Sequence, residues 1–90
     1  MKKIDFTHFT MFDDISQKTT HEENIRENIA DLMYKNTSGI HAHDLALRIY
    51  RTEGPISMTD KDLSVMDEFL QNATPIFIDS YKANLIEEQP

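Results

Sequence analysis

The stretch "KKIDFTHFTMFDDISQKTT", residues 2–20, decides the architecture, because it sets three of the chain's five phenylalanines within seven residues. Ile4 and Phe6 fall on one parity and Phe9 and Met11 on the other, and Phe12 breaks the run, so the period-2 alternation of a strand is imperfect. Two very short strands would satisfy this pattern, and so would an extended aromatic arm lying on the rest of the chain. Three such rings gain too much from leaving water to stay exposed. The segment is therefore expected to cover a groove, in its own chain or in a second copy.

Four helical patterns follow. "TTHEENIRENIADLMYKNTSG" opens with a capping box, Thr20 with Glu23 three residues on, and Ile25, Ile29, Leu32 and Met33 then recur at helical spacing. Asn36 to Gly39 supply stop signals, which predicts a helix over roughly 21–36. A second helix over 39–53 carries Ala42, Leu45, Ala46, Ile49 and Tyr50, with Gly54 placed for a left-handed C-terminal cap and Pro55 unable to continue. Thr59 with Asp62 caps a third, whose stripe is Leu63, Met66, Phe69 and Leu70, before a break at 72–74. Thr74 followed by Pro75 starts a fourth, through Phe77, Ile78, Tyr81 and Leu85 to about Glu87. "EEQP" reads as a tail. "PISMT", residues 55–59, is too short for a helix and alternates, so it is expected to be extended and to pair with the N-terminal segment.

The fold class expected from these patterns is mainly α. A bundle of about four helices over 20–87 is preceded by an aromatic arm over 1–19, with a minor two-stranded β element joining residues near 4–12 to 55–59. No repeat, low-complexity tract or linker divides residues 1–90, and chains of this length bury only about 60 to 65% of their unfolded surface, so one domain with a modest core is expected. Hydrophobic residues at 39% and charged residues at 28% suit an ordinary globular domain.

Composition also excludes chemistry. With no cysteine, thiolate zinc sites, iron–sulfur clusters, disulfides and cysteine nucleophiles are ruled out. The N-terminus lacks an apolar run of signal-peptide length, and no stretch approaches the roughly 20 apolar residues of a membrane span, so a cytoplasmic protein is expected. The net charge of −7 is concentrated in the second half, which carries −6 over residues 53–90 against −1 over 1–52. Such a surface repels nucleic acid, whose affinity rests on Lys and Arg at phosphates. It keeps a small protein in solution or attracts a basic partner.

The most suggestive chemical grouping is His41, His43 and Asp44. On a helix, residues two apart point about 200° from each other, so the two imidazoles cannot chelate one ion there. The dinuclear HxHxDH pattern also fails, because Asp44 follows His43 directly and no third histidine comes after it. His43–Asp44 is the dipeptide of HD-type phosphohydrolases, which also need an upstream histidine and a distant aspartate. His21 could supply the first and Asp67 or Asp79 the second, in a chain with little room for metal, pocket and core together. The simpler assignment pairs Asp44 with Arg48 four residues on. Neither a metal nor a cofactor is expected.

A helix-turn-helix reading of the second and third helices is the other alternative. The connection Glu53 to Thr59 exceeds the usual three or four residues, and the would-be recognition helix sets Asp60, Asp62, Asp67 and Glu68 against one lysine. A basic face would have to gather Lys2, Lys3, Lys35, Arg48 and Arg51. No Gly-rich phosphate loop and no activated serine is present, so an enzyme is not expected.

What remains is surplus apolar surface. Leu47 falls about 140° from the centre of its helix's stripe, and so does Ile40, while Ile76, Phe77, Ile78, Tyr81, Leu85 and Ile86 spread around much of the fourth helix. Ile40, Leu47, Arg48, Arg51, Phe77 and Tyr81 are therefore the candidate contact surface of a protein-interaction or regulatory accessory module, with a homodimer as one way to cover it.

Overall fold

A computed structural model describes residues 1–88. It contains four α-helices and five strands in two small sheets, so the mainly α expectation is corrected to an α/β mixture. In chain order the elements are β1 (Lys2–Asp5), β2 (Phe9–Phe12), β3 (Thr20–Glu23), α1 (Arg26–Asn36), α2 (Ile40–Arg51), β4 (Pro55–Met58), α3 (Asp60–Phe69), a 3-10 turn (Leu70–Asn72), α4 (Pro75–Asn84) and β5 (Ile86–Glu87). No helix of the described residues is long and apolar enough to cross a membrane.

The first sheet has the order β4-β1-β5, antiparallel throughout. The expected pairing of "PISMT" with the N-terminal segment occurs, with Ile4 opposite Ile56 and Lys2 opposite Met58. Ile4, Ile56 and Met58 point inward and are buried. β5 falls where α4 was expected to continue. The helix stops at Asn84, Leu85 turns extended, and Ile86 and Glu87 pair with Lys3 and Lys2. Part of the expected tail thus belongs to a sheet: Glu87 also binds the Lys2 ammonium at 2.8 Å, and the Glu88 amide donates to the Met1 carbonyl. Gln89 and Pro90 lie outside the described residues.

The second sheet is the hairpin β2-β3, with Phe9 opposite Glu23 and Phe12 opposite Thr20. The capping box expected at Thr20 and Glu23 does not form. Both residues are in a strand, and α1 starts five residues later than expected, behind Ile25 with no side-chain cap. Between the sheets, the Asp5 carboxylate accepts from the Thr7 and His8 amides, turning the chain from β1 into β2. The hairpin loop is closed by Asp13 N–H to Thr19 O and by Asp14 accepting from the Ser16 amide, with Gln17 left-handed at φ 58°.

The outer edge of β2 has no strand beside it, and α4 takes the strand's place. The Phe12 amide donates to Ser80 Oγ at 3.1 Å, and the Thr10 amide and carbonyl exchange hydrogen bonds with the Asn84 side-chain amide at 3.1 and 2.8 Å. Ser80 and Asn84 are four apart on one helix face, which matches them to backbone groups of alternate strand residues. An edge that would otherwise be open for pairing with another chain is thereby covered.

One core unites the elements. It includes Ile4, Phe6 and Phe9 of the N-terminal segment, Ile29 and Met33 of α1, Leu45 and Ile49 of α2, and Met66, Leu70 and Tyr81 from the C-terminal half. Phe9 is fully buried, with Phe6 stacked at 6.0 Å and Phe77 at 5.6 Å between ring centroids. The aromatic segment therefore covers a groove of its own chain. α2 is bounded as expected, by Gly39 at φ 98° and by Gly54 at φ 90° just beyond it, values that L side chains adopt only with strain. The Thr59–Asp62 capping box of α3 and the Thr74–Pro75 start of α4 both form.

Candidate functional site

α1 and α3 each pack against α2. Between them lies an open groove of about 910 Å³. α1 lines one wall along its whole length with Ile25, Asn28, Ile29, Leu32 and Asn36, and α3 lines the other with Lys61, Val65, Glu68 and Phe69, continued by Asn72 of the 3-10 turn. Both sets are helical stripes spaced by three or four residues. The first turn of α2, Ile40 to Ala42, and Phe77 of α4 complete the lining. A second hollow of about 370 Å³, formed with Tyr34 and His43, shares Thr37, Gly39 and Ile40 with the first. Ile40 is thus a ridge between two depressions. Ile40 is 90% exposed, and Leu32 and Tyr34 are more than half exposed.

The six residues expected to form a contact surface divide. Ile40 and Phe77 both line the groove. Leu47 is half-buried, Arg51 is exposed, and neither lines it. Arg48 is committed elsewhere: its guanidinium binds Asp44 at 3.1 Å, as the i,i+4 spacing suggested, and also Asp62 at 2.6 Å. Tyr81 is removed from the candidate surface, since it is 1% exposed and part of the core. Its hydroxyl has no hydrogen-bond partner among the described residues, and burial, aided by the charge of Asp67, pushes the phenol above its usual range. Tyr81→Phe should leave stability unchanged or raise it by up to about 1 kcal/mol, measured by urea denaturation, because it deletes only an unsatisfied buried hydroxyl.

Asp62 is buried and is bound to His41, which lines the groove. Its carboxylate accepts from the Thr59 amide at 2.9 Å, from Arg48, and from His41 Nε2 at 3.1 Å, while Thr59 Oγ1 caps the Asp62 amide. Burial raises the pKa of Asp62, but these donors outweigh it and hold the carboxyl below its ordinary value. The capping pair was legible in the sequence. The two donors that α2 contributes to it, Arg48 and His41, were not.

His21, His43 and Asp44 form no metal centre. No group of three or more His, Asp or Glu among the described residues has a geometry that could hold an ion. His43 packs its ring at 5.6 Å from Tyr34, and Asp44 holds Arg48. His21 sits in β3 between two carboxylates, with Nδ1 at 2.6 Å from Asp13 and Nε2 at 2.8 Å from Glu23. Both nitrogens donate only in the imidazolium, so Asp13 first and Glu23 second raise the His21 pKa. The clip therefore supports the hairpin below the ordinary histidine pKa and fades as pH rises through the raised one. A nuclear magnetic resonance titration should place the His21 midpoint above about 6.5, and Asp13→Asn should lower it; an unshifted midpoint in both proteins would disprove the clip.

Of the cations that a nucleic-acid face would need, Lys2 binds Glu87, Lys35 binds Asp31 and Arg48 binds two aspartates. Arg26, given no role from the sequence, donates to the Tyr50 carbonyl and lies 6.0 Å from the Tyr50 ring centroid, tying α1 to the end of α2.

No protein-family model matches this chain, and neither does any curated protein or solved structure.

Proposed function

We propose that this chain is a protein-interaction module whose docking face is the α1–α3 groove and the ridge at Ile40. The observation that carries this reading is the contiguity of exposed and half-buried apolar side chains around Ile40. A lone exposed isoleucine is ordinary on a protein surface. Ile40 instead joins two hollows, with exposed Leu32 and Tyr34 and half-buried Val65, Phe69 and Phe77 around it, and contiguous apolar surface of this kind marks binding grooves. Few charges interrupt it, since Lys61, Glu68 and His41 are the only titratable side chains in the larger hollow. Such a lining suits recognition by shape and apolar burial and supplies little for acid–base chemistry.

The test is site-specific photo-crosslinking. A photoreactive residue at position 40 should give a discrete adduct with another polypeptide in the native host, and the same residue at exposed Lys82 on α4, away from the groove, should not. Equal labelling from both positions, or none from position 40, would contradict a docking role for the groove.

A further inference from the structure

We infer that the occupant of the groove is one amphipathic α-helix of a second protein, apolar toward the groove and basic on its outer face. This rests on the docking reading above and specifies the partner. Shape supports a helix: the walls are two helical stripes, at 25, 28, 29, 32 and 36 on α1 and at 61, 65, 68, 69 and 72 on α3 and the turn after it. Each wall covers eleven residue steps, about 16 Å of helix, which matches a ligand helix of about three turns reading the groove through i, i+3, i+4 and i+7 anchors. Ile40 and Phe77 are placed to pack between such anchors, and Asn28, Asn36 and Asn72 offer side-chain amides to its polar flanks.

A second copy of this chain is a poor occupant on two counts. The buried residues of all four of its helices lie within one continuous packed body, so a copy offers its own concave groove rather than a free helix to fill this one. Each copy also carries a net charge of −7. The same charge favours a basic partner. Within the groove, Glu68 and Lys61 each lack an ion-pair partner among the described residues and offset one another. Asp60 and Asp67 lie on the opposite side of α3 from the stripe 61, 65, 68 and 69, so the preference for a basic partner rests on the net charge of the whole chain. A lysine- or arginine-rich outer face would meet this field attractively and would be steered toward it at low salt.

The test uses three designed 18-residue peptides as probes: one with a leucine stripe and a lysine-rich polar face, one with the same stripe and a glutamate-rich face, and a scrambled form of the first. Binding is followed through the backbone amide resonances of the chain, in the wild type and in Leu32→Asp. Leu32 is half exposed, so that variant keeps the fold, which its own amide spectrum verifies. The basic helix should shift the amides of α1, α3 and the start of α2, and Leu32→Asp should weaken it about tenfold or more, since one buried leucine contact is lost. Non-specific attraction would do the reverse, because the variant is more negative. Groove shifts of equal strength with the acidic helix would overturn the basic assignment and leave the docking face standing. No groove shifts with either helix, alongside crosslinks from position 40, would overturn the helical occupant alone. Groove resonances that move with the chain's own concentration would assign the groove to a second copy.

Discussion

Asp62→Ala is expected to destabilise the fold by about 3 kcal/mol, a large share of the roughly 5–15 kcal/mol that holds a domain of this size. The side chain is 1% exposed and accepts from the Thr59 amide, the Arg48 guanidinium and His41. Truncation leaves the Thr59 amide uncapped at the start of α3 and strands Arg48 without its shortest partner. Arg48 is 37% exposed and can turn toward water, which keeps the cost at the lower end of that for breaking a buried pair. Chemical denaturation of the purified variant measures it. In an Arg48→Met background the same substitution should cost less, because no guanidinium is then left alone. The acid limb supplies a second readout. Because the folded-state pKa of Asp62 is depressed, its contribution is fully present above the ordinary carboxylate pKa of about 4 and is lost as pH falls through the lower folded value. Asp62→Asn should therefore lose less stability than the wild type on acidification below about pH 4. Parallel acid limbs would mean that Asp62 has an unshifted pKa.

Phe9→Ala should cost about 3–5 kcal/mol, the usual price of removing a fully buried aromatic ring, and should lower the melting temperature by about 15–30 °C. Phe9 is 0% exposed and stacks on Phe6 and Phe77. Its ring joins the hairpin to α4 and, through Phe77, supports the groove from beneath. A loosened hairpin would also slacken the Ser80 and Asn84 bonds that cover the edge of β2. Thermal melting followed by circular dichroism checks the value. A change below about 1 kcal/mol would mean that the N-terminal segment is not part of the core.

The helices were legible where their ends carry special chemistry. Gly39 and Gly54 bound α2 because of their positive φ, and Thr59 with Asp62 marks α3. The β4 pairing was legible from the alternation in 55–59. The hairpin was hidden for a physical reason. Every residue of β3 is exposed, so no apolar alternation betrays a strand, and Thr20 with Glu23 suits a capping box as well as it suits a solvated strand. Pairing with β2, a tertiary event, settles the competition in favour of the strand. β5 is too short to leave a pattern, and it ends α4 by competing for Ile86 and Glu87.

The candidate site was half legible. Ile40 and Phe77 stand out because they exceed a single core-facing stripe. Leu32 and Phe69 do not, since each sits on a regular stripe that looks like core. Periodicity reveals that a helix face is apolar, and whether the same chain covers that face depends on where the neighbouring helices lie. Here α1 and α3 leave part of their apolar faces toward a groove. Tyr81 failed as a surface candidate for the opposite reason: a phenol suits a half-wet position, yet its ring is enclosed by the core.

The most direct measurement is the solution mass of the purified chain by light scattering over a wide concentration range, with Leu32→Glu beside the wild type. A groove awaiting another protein requires both to remain at the monomer mass of 10.5 kDa throughout. A wild-type dimer that Leu32→Glu dissociates would contradict this, and would show that the chain covers the groove with a copy of itself.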